Sequence, residues 1–88
     1  MFYVYVLNSN KYNELYIGST NDLKGRIIEH NRGKVKSTHL KKPYKLIYYE
    51  AYKAESDARR RESMLKLRGQ ARNQLKLRIK DTLAQNEG

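Results

Sequence analysis

The chain has 88 residues, with nineteen lysines and arginines against nine acidic residues, for a net charge of +10. A domain of this size buries only about 60–65% of its unfolded surface, so it supports one modest core and leaves any site as an open surface rather than an enclosed one. The absence of cysteine excludes disulfides, thiolate nucleophiles and zinc fingers together and fits a reducing, cytoplasmic setting.

In chain order, the opening "MFYVYVL" is too short to span a bilayer and lacks the basic flank and cleavage site of a signal peptide. Residues 2–7 are β-branched and aromatic, "ELYIGS" (14–19) resembles them, and "NSNKYN" between is a turn cluster; together they predict a hairpin. Ser19 with Asp22 three residues on has the form of a capping box, predicting a helix from about 21 to 32 that Gly33 stops. Its apolar stripe is Leu23, Ile27 and Ile28, while Arg26 and His30 share the neighbouring stripe at i, i+4 and so border the core.

Pro43 leads into "YKLIYYEAY" (44–52), apolar on both faces and tyrosine-rich, which predicts a third strand whose tyrosine tips need water or partners. From Glu55 to Leu67 the pattern is helical, placing Glu62 on a mostly apolar stripe with Ala58 and Leu65. Ala71, Leu75, Ile79 and Leu83 continue at helical spacing, and the Lys/Arg/Gln content favours helix over strand. The expectation is one domain over residues 1–83 with a frayed, disordered tail at 84–88.

The charge is unevenly spread. Residues 59–80 hold nine basic residues and one acid, and residues 32–42 hold five basic residues and none acidic. That is an electrostatic footprint for a polyanion, with phosphates as the obvious partner. Membrane binding is disfavoured, because no helix joins this charge to a bulky apolar face.

"YVY" (3–5), a polar turn, "YIG" (16–18), an arginine eight residues past that glycine and a later helical glutamate occur in order. Over residues 2 to about 68, and more weakly to about 80, the chain resembles the GIY-YIG nuclease family. It is most similar to small single-domain members related to the N-terminal catalytic module of the nucleotide excision repair endonuclease. The resemblance implies an α+β fold, a three-stranded antiparallel sheet with helices packed on it, and metal-dependent cutting of one nucleic-acid strand. By the same resemblance Tyr5 and Tyr16 correspond to the tyrosines of the two motifs and Gly18 to the glycine of the second. Arg26 corresponds to the helix arginine, His30 to a histidine in a subset of relatives, and Glu62 to the metal-binding glutamate. Tyr3 and Val4 depart from the family's glycine and isoleucine, and Asn73 is the nearest candidate for an asparagine that contributes in some relatives.

These residue types suit the implied chemistry. A hard cation, Mg²⁺ or alternatively Mn²⁺, needs only one carboxylate such as Glu62 if water and substrate phosphate complete its shell. Arg26 offers a planar, always charged fork for a phosphate. On family grounds Tyr5 is expected to be the general base, its phenol brought down in pKa by nearby positive charge, with Tyr16 positioning water or phosphate. His30 is expected to relay the proton, as an imidazole titrating near neutrality can. Gly18 would let a phosphate or the next helix approach the backbone. Lys34, Lys36, Lys41 and Lys42 are expected along the strand path, extended by Arg72, Lys76 and Arg78. Taken singly, Glu62 has an ordinary explanation as the partner of Arg59 or Lys66. The expected substrate is DNA, with RNA as the alternative, in repair or processing and within a larger repair complex; the competing reading is a nucleic-acid-binding module that keeps the fold without catalysis.

Overall fold

The computed structural model describes residues 1–85, and its centre is strand β1 (Phe2–Ser9), flanked by β2 (Leu15–Thr20) and β3 (Tyr44–Tyr52) in the antiparallel order β2-β1-β3. Helix α1 (Leu23–Asn31) lies in the chain between β2 and β3, and α2 (Glu55–Leu67), α3 (Gly69–Arg78) and α4 (Lys80–Gln85) follow. The α+β architecture is the expected one, and no described helix is long and apolar enough to cross a membrane.

Alternation along β1 divides the core into two. Val4 and Val6, with Ile17 of β2, pack against Ala58 and Leu65 of α2, Leu75 of α3 and Ile79. Tyr5 and Leu7 point to the other face, where Tyr44 joins them and Leu23 and Ile27 of α1 cover them. The β3 strand serves both faces because its phase changes midway: Val6 pairs with Tyr48 but Leu7 with Leu46, so Ile47 is the extra residue of a β-bulge. This bulge explains why the strand reads as apolar on both sides. The tyrosine tips find their partner in Glu50, which accepts the hydroxyls of Tyr48 (2.6 Å) and Tyr52 (2.5 Å) and the Arg61 guanidinium (2.9 Å).

The helix that follows β2 starts later than the sequence predicts. Asp22, not Ser19, is the N-cap, accepting the Gly25 N–H at 3.1 Å, because Ser19 remains paired in the sheet opposite Val4. Ile28 is exposed rather than part of the covered stripe, and His30 takes its place as the buried residue of α1. Gly33, at φ 76°, donates to the His30 carbonyl (3.2 Å) and ends the helix as expected. Ala71, Leu75, Ile79 and Leu83 all pack on the core, although the backbone breaks at Ile79 into α3 and α4. Ala84 and Gln85, within the stretch expected to fray, are helical; the rest of that stretch lies outside the described residues.

Candidate active site

The register sets Tyr5 of β1 directly opposite Gly18 of β2. A Cβ on residue 18 would lie 2.6 Å from the Tyr5 Cζ, so the glycine is the space in which the phenol lies. Gly18 therefore makes room for Tyr5. Beneath that cover Tyr5 is 1% exposed and His30 0%, and their tips meet at 2.9 Å between Oη and Nε2.

The direction of this contact follows from the next link. His30 Nδ1 lies 2.7 Å from the Thr38 Oγ1, and the Thr38 hydroxyl donates to the Val35 carbonyl at 3.4 Å. The Thr38 oxygen thus accepts Nδ1–H, leaving Nε2 as a bare acceptor to which Tyr5 donates. Burial, reinforced by the Arg26 charge, pushes the imidazole down to about 4, so it is neutral at physiological pH. Burial likewise pushes the Tyr5 phenol up to about 12, although the Arg26 guanidinium beside its hydroxyl acts the other way. Both findings correct the sequence expectations of a lowered phenol and a histidine titrating near neutrality: desolvation outweighs the nearby charge in each case.

Tyr16, from β2, shares this face. Its ring centroid is 5.0 Å from that of His30 and 6.4 Å from that of Tyr5, and it is half-buried. Its hydroxyl accepts from Ser37 Oγ at 3.5 Å, and the Lys66 ammonium lies 5.8 Å from its ring centre. Arg26 closes the cluster at the rim, more than a third exposed and loosely paired with Glu29 at 3.5 Å. The sheet face under α1 thus gathers Tyr5, Tyr16, Arg26 and His30.

Glu62 approaches from α2, which packs on the other face. Its Oε1 accepts the Ser19 hydroxyl at 2.5 Å, and its Oε2 pairs with Lys66 at 2.8 Å. Burial raises this carboxyl, but the bonds from Lys66 and Ser19 outweigh it and hold it below its ordinary value. The two halves meet at β2, the sheet edge. Gly18 there faces Tyr5, Ser19 holds Glu62, and Lys66 spans from Glu62 to the Tyr16 ring around the strand. The carboxylate is near enough that its charge contributes to raising Tyr5.

Among the described residues no cluster of three or more His, Cys, Asp or Glu forms a ready metal cage. The donor set is instead one ionised carboxylate, its side chain 21% exposed, with two lone-pair positions used by Ser19 and Lys66 and the others open. That fits Mg²⁺ or Mn²⁺, which keeps waters and takes one or two carboxylates plus substrate phosphates.

The basic positions separate into four groups. Lys34, Lys36 and Lys42 are exposed on the α1–β3 connection, whose Ser37 and Thr38 touch the cluster. Lys41 is instead tied to Glu14 at 2.5 Å, bracing that connection to the β1–β2 turn. Arg72 donates to the Lys66 carbonyl at 2.7 Å, and with Lys76 it borders a cavity beside Tyr16. Arg78 and Asn73 are exposed on α3 and join none of these contacts. Sequence reasoning missed Ser19 and Thr38 as site residues and saw Lys66 only as an ion-pair partner. Strand parity next to Gly18 marks Ser19, and the i, i+4 spacing marks Lys66, but nothing local marks Thr38.

Residues 1–76 match the family GIY-YIG, described as the GIY-YIG catalytic domain. Among curated proteins, the chain is 38% identical over 65 residues to a UPF0213 protein of Staphylococcus epidermidis, covering 73% of this chain and 78% of that one. It is 42% identical to a UPF0213 protein of Staphylococcus haemolyticus over the same shares. It is 42% identical to one of Streptococcus agalactiae, covering 73% of both chains. No solved structure matches.

Proposed function

The chain belongs to the GIY-YIG catalytic domain family, and from that premise we propose that it is a divalent-metal-dependent endonuclease that hydrolyses phosphodiester bonds of DNA. The observation that supports the reading is that the Arg26 guanidinium lies beside the Tyr5 hydroxyl next to the half-buried Tyr16, while the ionised Glu62 carboxylate holds Ser19, the neighbour of Gly18 on β2.

Hydrolysis needs a nucleophilic water, neutralisation of charge on the phosphate and help for the departing oxygen. Arg26 at the rim binds the scissile phosphate and stabilises its growing charge. Glu62 holds the Mg²⁺ or Mn²⁺, which when bound supplies Lewis-acid stabilisation of the phosphate and the leaving oxygen. The buried Tyr5 does not fit the role of general base, since its hydroxyl already donates to His30 and ionises only near pH 12. The half-open Tyr16 orients the attacking water instead, through its hydroxyl. Tyr5, His30 and Thr38 form the buried prop on which Arg26 rests, His30 accepting a hydrogen bond and moving no proton at neutral pH. Lys34, Lys36 and Lys42 extend the positive surface toward flanking phosphates. RNA as substrate, and a place in a repair complex, are secondary readings of the same positive surface.

The test is cleavage of labelled strands by the purified protein with Mg²⁺ or Mn²⁺. Arg26→Ala should lower kcat by about 10²–10³, Glu62→Gln by at least as much, and a chelator should stop cutting, with circular dichroism unchanged. Absence of cutting on single-stranded, duplex, flap and branched substrates, together with steeply salt-dependent binding, would establish the non-catalytic binding module in its place.

A further inference from the structure

A cavity of about 690 Å³ opens beside the proposed centre, between the β2 edge and the helices α3 and α4. Its volume lies within the roughly 300–1,000 Å³ of ligand sites. It shares Tyr16 and Lys66 with that centre, its walls include Leu15, Leu75 and Leu83, and Arg72 and Lys76 stand at its rim.

Its polar lining includes Asn13 and Glu14, the latter neutralised by Lys41, and the buried Asn8, which is 3% exposed. Asn8 Nδ2 donates to Asn13 Oδ1 at 3.3 Å, whereas Asn8 Oδ1 has no hydrogen-bond partner among the described residues. A buried acceptor left without a partner is costly, so a donor brought to it gains more than it would at an open surface. Apolar walls, a lone buried acceptor, a phenol ring and two cations at the mouth together describe a nucleotide: base faces for the walls, an N–H for the acceptor, phosphate for the rim.

We propose that this cavity receives one unpaired nucleotide adjoining the scissile phosphate, with its base against Leu15, Leu75 and Leu83, a base N–H on Asn8 Oδ1, and its phosphate at Arg72 and Lys76. The proposal rests on the nuclease reading of the neighbouring centre and names what that centre selects. Every base has an N–H on its pairing edge, so one acceptor admits all of them and the recognition is of unpairing rather than of sequence. Extruding a base costs least where it is already mismatched or single-stranded. Cutting should therefore be directed beside bulges, mismatches and single-stranded junctions.

Two measurements test it separately from the nuclease chemistry. In metal-free buffer, mononucleotides titrated into the ¹⁵N-labelled protein should shift the amides of Asn8, Leu75 and Leu83. Deoxyribose 5-phosphate, which has no base, should bind at least tenfold more weakly, and Asn8→Leu should reduce mononucleotide affinity at least tenfold. Arg72→Ala with Lys76→Ala, both exposed, should weaken mononucleotides but leave the shifts caused by phosphate-free nucleosides. With metal, a duplex carrying one unpaired nucleotide should be cut at least tenfold faster than the same duplex carrying an abasic residue there. Equal binding of the base-free sugar phosphate, or equal cutting of the abasic duplex, overturns the inference. Loss of cutting on all substrates with the mononucleotide shifts intact overturns the nuclease reading and leaves the cavity assignment standing.

Discussion

Lowering the pH from 7 to 5 should destabilise this protein chiefly through His30. Burial takes its imidazole from the ordinary 6.5 down to about 4, and its side chain is wholly covered. Between those values the unfolded chain binds a proton that the folded chain refuses, so stability falls as pH falls. At pH 5 the unfolded histidine is almost fully protonated and the folded one largely neutral, which amounts to about 2 kcal/mol, rising to about 3 kcal/mol near pH 4. The carboxyls of Glu50 and Glu62 are raised by burial but held below 4.5 overall by their hydrogen-bonding partners. Their contribution is thus lost at lower pH, and the span from 7 to 5 isolates the histidine. Urea unfolding followed by far-ultraviolet circular dichroism at the two pH values measures the difference. His30→Gln keeps an amide able to accept from Tyr5 and cannot titrate, so its stability should be lower at pH 7 but nearly flat over the same span. A wild-type stability unchanged from pH 7 to 5, or a glutamine variant with the wild-type slope, would refute a neutral buried imidazole.

Gly18→Ala should cost about 2–6 kcal/mol, because the new methyl displaces the Tyr5 ring, adding overpacking of about 1–3 kcal/mol to a buried His30 acceptor left unpaired at about 1–3 kcal/mol; thermal unfolding reads this, and an unchanged Tm would contradict it. Lys66→Met should change stability by less than about 1 kcal/mol, since the pair with Glu62 is partly exposed. The same substitution removes a competing cation from the carboxylate, so the Mg²⁺ concentration for half-maximal cleavage should fall several-fold; a rise would show that the lysine assists metal binding. Tyr16→Phe should lose most cleavage, while Tyr5→Phe should act mainly on stability, and the reverse pattern in paired kinetic and unfolding measurements would restore Tyr5 as the base.

The elements were legible where local chemistry and tertiary packing agree. The β3 strand and α2 have the bounds their patterns predict, and Gly33 stops α1 because a left-handed residue is needed there. Where a residue had two competing uses, the sequence could not choose. Ser19 reads as a cap, yet sheet pairing and the Glu62 carboxylate claim it first. Ile28 is as apolar as Ile27, but the packing on Tyr5 and Leu7 turns His30 inward instead. The ordered motifs singled out Tyr5, Tyr16, Arg26, His30 and Glu62, but not their protonation. Whether Tyr5 is lowered by Arg26 or raised by burial depends on how much water the Gly18 cover excludes, and that is a property of the register between two strands. Thr38 was invisible because its contact with His30 depends on how the α1–β3 connection folds back.

The strand order has a consequence for biosynthesis. Because β1 is central, the edge left free by β2 must wait for the partner that pairs Phe2 with Tyr52, and the acid on α2 emerges from the ribosome later still. A nascent or prematurely terminated polypeptide therefore carries Tyr16 and Arg26 without Glu62, and the set is completed only when translation has passed the second helix.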